Sequence, residues 1–214
     1  MANINVWSKV AVAVQSALAT AKTVTGITKA SPAVATSTAH GFVAGDIALF
    51  KVSGMAQLDY QVVRILAAPT ADTVSLEGID STLFDTFTSG TMQKVTLGTS
   101  CSTLQDINAS GGEASPIQIS TIHTDQDIEI PGNRTPIVYS FGSLWDSADA
   151  ALLALAAFDK SKTPACLQLT FATGAKIFFC AYVSNSMAPV GSAGGPVTTP
   201  VTFRLRGPLT TYAT

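Results

Sequence analysis

The sequence contains little charge and few residues of the types that perform catalysis. Only 12% of its 214 residues are charged, and it has 2 histidines and 3 cysteines. An average soluble domain has roughly 25% charged residues, which keep a monomer soluble. We therefore expect the chain to cover much of its surface with copies of itself, although a surface rich in Ser and Thr would give similar totals. No run of Lys and Arg occurs, so the electrostatic footprint of a nucleic-acid-binding domain is absent.

Catalytic and metal-binding motifs are also missing. His40 and His123 have no partners at the spacing of metal ligands, and each is expected to bond locally within its own loop. Asp125, Asp127 and Glu129 alternate along a strand and lack the glycine and the distant glutamate of a calcium-binding loop. No Gly-x-Ser-x-Gly sequence occurs, so the nucleophile turn of the hydrolases is absent. The sequence predicts a protein that is not an enzyme and that uses no metal or cofactor.

The cysteines and the apolar runs indicate an intracellular, non-membrane chain. Cys166 and Cys180 lie in strand-like runs and are expected to be small core residues in a reducing compartment. No apolar run approaches the ~20 residues of a membrane-spanning helix, so no membrane insertion is expected. The Val/Ala run after Lys9 is interrupted by Gln15 and Ser16, which favours a strand over a signal peptide.

Alternation of apolar and polar residues predicts a mainly β chain. Strands are predicted at 10–15, at 22–28 as its hairpin partner, and at 34–38, 47–52, 61–66, 73–76, 91–95, 117–119, 128–130, 137–141, 166–171, 176–184 and 201–206. The short strands and turn signals within 29–95 describe a small β-barrel or sandwich of its own. Residues 96–115 are polar and rich in Gly and Ser, and are expected to form a connector or mobile loop.

One helix is predicted in the C-terminal half. Asp149 suits its start, because it can cap the first turn and interact with the N-terminal end of the helix dipole. Leu152, Leu155 and Ala156 form an apolar stripe at helical spacing. Pro164 ends the pattern. This helix can lie flat on a sheet, because its alanines keep it slim.

The order of elements from residue 96 to the C-terminus resembles that of the tail tube proteins of long-tailed bacteriophages. The features that carry the resemblance are Ile128-Glu129-Ile130-Pro131-Gly132, Tyr139-Ser140-Phe141 before Trp145-Asp146, the helix from Ala148 to Leu155, the strand pair 167–171 and 176–183, the closing Val201-Thr202-Phe203-Arg204-Leu205-Arg206-Gly207-Pro208 and the opening strand 10–15. The resemblance implies a tail-tube β-sandwich or barrel core with one α-helix, formed by residues 1–28 and 96–214.

Residues 29–95 resemble a different small β-module, related to the first catalytic-cysteine half-domain of ubiquitin-activating enzymes. The matching residues are Ala39-His40-Gly41-Phe42, Gly45-Asp46, Ser53-Gly54-Met55, Asp72-Thr73-Val74-Ser75-Leu76 and Phe87-Thr88-Ser89-Gly90. This copy contains no cysteine, so the resemblance implies a fold and no ubiquitin chemistry. We expect the module to be a small β-barrel domain inserted into the tube core.

The tail-tube resemblance implies a structural subunit of hexameric rings, stacked head to tail around a DNA-conducting channel. It implies as partners further copies of the chain, the tape measure, tail terminator and distal tail proteins, and DNA in passage. The implied location is the virion tail, with the host cytoplasm during assembly. Some of the acidic residues are expected to line the channel. The residues expected to pack between subunits are Ile117, Ile119, Ile122, Ile128, Ile130 and Pro131, and the segment 1–8 is a further candidate.

Two other functions stay open at this point. A β-rich module that binds carbohydrate or a host surface would need exposed aromatic side chains in one shallow patch. The inner-tube subunit of a contractile secretion apparatus would share the tube architecture. For Trp145, anchoring of the helix in the core and contact with a neighbouring subunit are equally compatible with the sequence.

Overall fold

The computed structural model describes residues 7–66, 70–120, 122–123 and 128–213. The expectations for 1–6 and for Asp125 and Asp127 lie outside these residues. The described chain is mainly β, with 49% of residues in strands, one α-helix and a curled, half-barrel sheet. The predicted fold class is therefore confirmed.

The strands are β1 (Ala11–Leu18), β2 (Lys22–Val24), β3 (Gly26–Ile27), β4 (Val34–Thr36), β5 (Ile47–Ser53), β6 (Val62–Arg64), β7 (Thr73–Ser75), β8 (Ser89–Cys101), β9 (Leu104–Ser110), β10 (Ala114–Ile119), β11 (Ile128–Arg134), β12 (Val138–Leu144), β13 (Ala165–Thr170), β14 (Lys176–Ser184), β15 (Thr198–Leu205) and β16 (Thr210–Tyr212). The helix α1 is Ala150–Ser161, and a 3₁₀ turn spans Ala56–Leu58.

One large antiparallel sheet organises the molecule. Its strand order is β6-β5-β8-β1-β13-β14-β15-β12-β9, with β2 also paired to β8 and β16 also paired to β14. Two small sheets stand apart from it, the pair β10-β11 and the trio β3-β4-β7. The hairpin signal at Thr173-Gly174 is confirmed, because β13 and β14 pair directly and Gly174 has a φ of 89°.

Strand β14 is buried on both faces, which explains its nearly continuous apolar sequence. Phe179, Ala181 and Val183 point to a core that α1 completes. Phe178 and Cys180 point to a second cluster on the opposite face. A Phe to Ala substitution in such a core lowers the free energy of unfolding by about 3–5 kcal/mol. The two faces of β14 therefore stabilise two layers of structure at once.

The boundaries of α1 follow from local chemistry. The Asp149 carboxylate accepts hydrogen bonds from the N–H groups of Ala151 at 2.7 Å and Leu152 at 3.3 Å. The helix ends at Lys162, which has a φ of 54° and donates its N–H to the carbonyl of Asp159. Leu152 and Leu155 are buried in the core. The predicted helix, its cap and its apolar stripe are confirmed.

Residues 24–92 contribute a hydrophobic cluster of their own, centred on Phe50, Met55, Leu58 and Met92. The module is nevertheless continuous with the large sheet, because β5 and β6 extend it. Strand β8 reaches from Met92 in this cluster to Cys101 in the main core. The division into a core of 1–28 and 96–214 and an inserted domain of 29–95 stays a prediction.

The C-terminal strand joins the module to the sheet. The Tyr212 hydroxyl accepts a hydrogen bond from the Arg64 N–H at 2.8 Å and donates one to the carbonyl of Glu77 at 3.2 Å. Burial raises the pKa of Tyr212 to about 12, so the hydroxyl keeps the proton that it donates. The Arg64 guanidinium forms an ion pair with Glu77 and lies 4.4 Å from the centre of the Tyr212 ring.

Two local predictions were wrong, and one strand was missed. Residues 22–28 do not form a hairpin with β1; β2 pairs with β8, β3 pairs with β4, and β1 lies between β8 and β13. Residues 96–115 are not a connector but hold the end of β8, all of β9 and the start of β10. Strand β16 was not anticipated. The partners of β2, β9 and β16 are β8, β12 and β14, which lie far along the chain, so local composition does not contain these pairings.

The ion pair at this joint predicts an acid-sensitive contribution to stability. The hydrogen bond from Arg64 lowers the pKa of Glu77. A lowered carboxylate pKa gives stability that is complete above the unfolded-state pKa, about 4.3 for Glu, and that is lost as pH falls through the folded-state pKa. We expect Glu77→Gln to be less stable at pH 7 and to lose less stability on acidification than the wild type.

Urea denaturation midpoints between roughly pH 3 and pH 7 measure this effect. Glu113→Gln, which removes an exposed carboxylate, serves as the matched control and should follow the wild-type profile. Parallel profiles for Glu77→Gln and the wild type would contradict a stabilising role for the pair.

Candidate assembly surface

The hairpin β10-β11 presents an apolar face built only from isoleucine. Ile117 lies directly opposite Ile130, and Ile119 lies directly opposite Ile128. Side chains that face each other across an antiparallel pair share one face. The exposed fractions of these four side chains are 55%, 45%, 40% and 54% in the order named. The described chain thus leaves four large apolar side chains together in solvent.

The opposite face of the hairpin is polar. Gln118 pairs with Glu129, and its amide donates a hydrogen bond to the Glu129 carboxylate at 3.1 Å. Pro116 pairs with Pro131 on the same face. Of the six predicted packing residues, four therefore share the apolar face and Pro131 lies on the polar one. Ile122 lies in the turn beyond the strands and is 96% exposed.

Glycines fix where the hairpin leaves the large sheet. Gly111 has a φ of 83°, and a Cβ there would lie 2.3 Å from the carbonyl oxygen of Pro136. A Cβ at Gly132 would lie 2.7 Å from the carbonyl oxygen of Ser115 and 3.0 Å from the Ile117 side chain, so the absence of a side chain lets β10 and β11 approach closely here. A solitary two-stranded hairpin is marginally stable in water. The hairpin therefore gains most from a surface that covers its isoleucines.

Strand β9 is an open edge of the large sheet. Among the described residues it pairs only with β12, so one row of its backbone N–H and C=O groups faces away from the sheet. Such an edge is a template for pairing with another chain. The open edge could not be predicted from composition, because β9 lies in the polar segment 96–115 that was expected to be a loop.

A groove of about 430 Å³ lies between α1 and the segment that follows β14. It is lined by Trp145, Ser147, Leu153, Ala156, Asp159, Lys160, Asn185, Ser186 and Met187. The Trp145 indole N–H donates to the carbonyl of Met187 at 2.9 Å, which fixes the ring in the wall. Leu153 is 49% exposed and Trp145 is 38% exposed. The groove therefore offers apolar surface that the chain itself does not cover.

The face of β9, β12, β15 and β14 that points away from the core closed by α1 carries small neutral side chains. Asn108 lies opposite Ser140, Ser140 opposite Thr202, and Thr202 opposite Ser184. Together they form one polar row across four strands. Asp106 and Arg204 are exposed charged residues on β9 and β15.

The histidines make local contacts or lie exposed, and none belongs to a metal-binding group among the described residues. The His40 Nδ1 accepts the Phe42 N–H at 2.9 Å, so its Nε2 donates to the carbonyl of Thr70 at 2.6 Å. This local bonding confirms the expectation for His40. His123 is exposed in the hairpin turn. Among the described residues, no group of three or more His, Cys, Asp or Glu side chains could hold a metal ion.

The three cysteines are free and buried. Burial, with a smaller effect of Asp149, raises the pKa of Cys101 to about 12. Cys166 and Cys180 are core residues as predicted. No helix within the described ranges has the length and apolar character required to cross a bilayer.

Comparison with known proteins gives one family. The family model described as "Phage tail tube protein, TTP" matches residues 53–214, which is about three quarters of the chain. A search of curated proteins finds no match. The matched region includes β8 to β16 and α1, and thus the hairpin, the groove and the open edge.

The exposure of the hairpin predicts that its isoleucines contribute little to the stability of a single subunit. Exposed substitutions usually change the free energy of unfolding by less than about 0.5 kcal/mol. We expect the free energy of unfolding of the double variant Ile128→Asp, Ile130→Asp to stay within about 1 kcal/mol of the wild-type value, because the two small effects add. Phe203→Ala, in the closed core, should lower the free energy of unfolding by about 3–5 kcal/mol.

Urea denaturation of dilute subunits, followed by tryptophan fluorescence, measures both effects. A loss above about 2 kcal/mol in the hairpin variant would show that the isoleucines pack within their own subunit.

Proposed function

The chain belongs to the phage tail tube protein family, and on this basis we propose that it forms hexameric rings stacked head to tail around a channel that conducts DNA. Membership makes the chain a structural subunit of the tail tube, located in the virion tail, and not an enzyme. The proposal rests above all on the isoleucine face of the hairpin β10-β11. Four adjacent exposed isoleucines are unfavourable in a monomer, because their apolar surface stays in water. Contacts between copies in a polymer can bury that surface.

Head-to-tail assembly requires two different surfaces on each copy. We assign the isoleucine face as one and the groove at Trp145 and Leu153 as the other, so that the hairpin of one subunit enters the groove of the next. Both surfaces are apolar and uncovered. Charge does not distinguish the two surfaces, because the groove is lined by both Asp159 and Lys160 and Glu129 lies on the polar face of the hairpin. This arrangement propagates, because each copy uses its hairpin on one neighbour and offers its groove to another.

The open edge of β9 supports closure into rings. Pairing of this edge with a strand of the adjacent copy would satisfy its free backbone groups. Repetition around a closed ring extends the sheet until no edge is left. The ring then forms a barrel wall whose continuity comes from main-chain hydrogen bonds.

The neutral row Asn108, Ser140, Thr202 and Ser184 supports a role for this face as the channel lining. Proteins hold DNA mainly through Lys and Arg contacts with phosphate. A lining of small hydroxyl and amide groups gives few such contacts, so DNA can pass without binding tightly. On this face of the described chain the acidic Asp106 is accompanied by the basic Arg204, so the support for an acidic channel is partial.

Residues 29–95 are proposed to lie on the outside of the tube, as an inserted domain. Their own hydrophobic cluster supports a unit with a separate core. The resemblance of this unit to the half-domain of ubiquitin-activating enzymes stays a prediction. The tape measure, tail terminator and distal tail proteins are the further partners that we propose for the ends of the tube.

The hairpin assignment predicts a subunit that folds but does not polymerise. In Ile128→Asp with Ile130→Asp, two carboxylates would have to lose their hydration in the subunit contact, which costs several kcal/mol unless they are paired. We expect monomers or free rings at concentrations at which the wild type forms tubes. Negative-stain microscopy and sedimentation velocity measure this.

Gln118→Lys is the matched control, because it adds a charge to the polar face of the same hairpin and should leave tubes intact. Tubes of wild-type length from the double Asp variant would overturn the role of the isoleucine face.

The groove assignment has its own test. Leu153→Lys should weaken tube formation by placing an ammonium group in the apolar contact, and Ile128→Asp should do so from the other side. The two substitutions together should restore tubes in part, because the new charges attract each other. If Leu153→Lys alone polymerises as the wild type does, the groove is not the partner surface, and the hairpin must bind elsewhere on the neighbouring copy.

A further inference from the structure

Cys166 and Cys180 lie directly opposite each other on the neighbouring strands β13 and β14. Both side chains are 0% exposed and both thiols are free. They share the sheet face that is turned towards the module, in a cluster with Leu49 and Val62. The pairing brings two thiols together from positions that are distant in sequence.

The backbone shows which kind of cross-strand pair this is. The Cys180 carbonyl accepts the Arg206 N–H at 2.8 Å, on the side away from β13. The Cys166 N–H donates to the Gln15 side chain at 3.0 Å, on the side of β1 and away from β14. In an antiparallel strand the N–H and C=O of one residue point to the same neighbour. Neither cysteine therefore contributes to the hydrogen-bond ladder between β13 and β14.

Cys166 and Cys180 thus form a non-hydrogen-bonded pair, the type in which the side chains come closest. The Cα atoms of such pairs are about 4.5 Å apart. Disulfides accept Cα separations of about 4.4–6.8 Å. The backbone of β13-β14 is therefore already within the range that a bridge requires.

We propose that Cys166 and Cys180 are a disulfide-forming pair, which a small-molecule disulfide oxidises to a bridge between β13 and β14 when the particle leaves the reducing cytoplasm. One thiolate attacks a sulfur of the small disulfide and releases its first thiol. The second cysteine then attacks the mixed disulfide and releases the second thiol. The protein loses two electrons and two protons, and the small disulfide takes up both as two thiols.

The module protects the pair from premature reaction. Contact with the Cys180 thiol, together with burial, raises the pKa of the Cys166 thiol. The thiolate is the attacking form, so the closed structure reacts slowly. Access requires the seam at Leu49 and Val62 to open, and the oxidation rate measures this opening.

The bridge would close a loop that contains the β13-β14 turn. Restricting the unfolded chain in this way raises the melting temperature, by roughly 5–10 °C for a loop of this size in a chain of this length. Reduction should reverse the increase. The bridge would stabilise the sheet without any change in its strand order.

The test uses the full chain treated with oxidised glutathione at pH 8, followed by unfolding, alkylation and mass spectrometry. We expect the loss of two hydrogen atoms per chain and a linked peptide that contains both cysteines. Cys101 should still be alkylated, and Cys101→Ala should form the bridge as the wild type does. Cys166→Ala and Cys180→Ala should each abolish the bridge and the increase in Tm.

A second variant keeps the test decisive if the wild type reacts slowly. Leu49→Ala loosens the seam and should accelerate oxidation by about tenfold or more, because the open state is more populated. If neither protein forms the bridge, or if both accumulate only glutathione adducts, the pair does not form a disulfide. Bridges between chains through Cys101 would overturn the proposal equally.

Discussion

Burial of the β13-β14 strand pair on both faces is the constraint on which the rest of the structure depends. One face builds the core that α1 closes, and the other face receives the module and the C-terminal strand. A strand covered on both sides cannot serve as an outer surface. The exposed parts of the large sheet consequently lie on β9, β12 and β15 and at Tyr182 and Ser184, at the end of β14.

The low charge of the chain has two origins in the structure. Part of the exposed sheet is covered by Ser, Thr and Asn, so it is polar without being charged. Another part of the surface is apolar and includes the hairpin and the groove, and further exposed apolar residues such as Leu83 lie elsewhere. The first of these gives a polar surface with little charge. The second is the part that copies of the chain can bury, in keeping with a tail tube subunit.

The features set by local pattern could be predicted from the sequence. The helix was predictable because Asp149, its apolar stripe and Pro164 are close together in the chain. The alternation of Ile117, Ile119, Ile128 and Ile130 predicted two strands with a common apolar character. Features set by pairing could not be predicted in this way. The face of Pro131 depends on the register with Pro116, and the groove brings together residues 145, 153 and 187 only after folding.

The long strand β8 joins the module and the rest of the large sheet into one mechanical unit. Its first half completes the cluster of the module and its second half pairs with β1. Removal of residues 29–95 would take away Ser89–Val95 and leave the end of β1 without its partner. Replacement of the module therefore requires a segment that supplies a strand in the same register. Related tubes should differ most in the loops of the module and least in this shared strand.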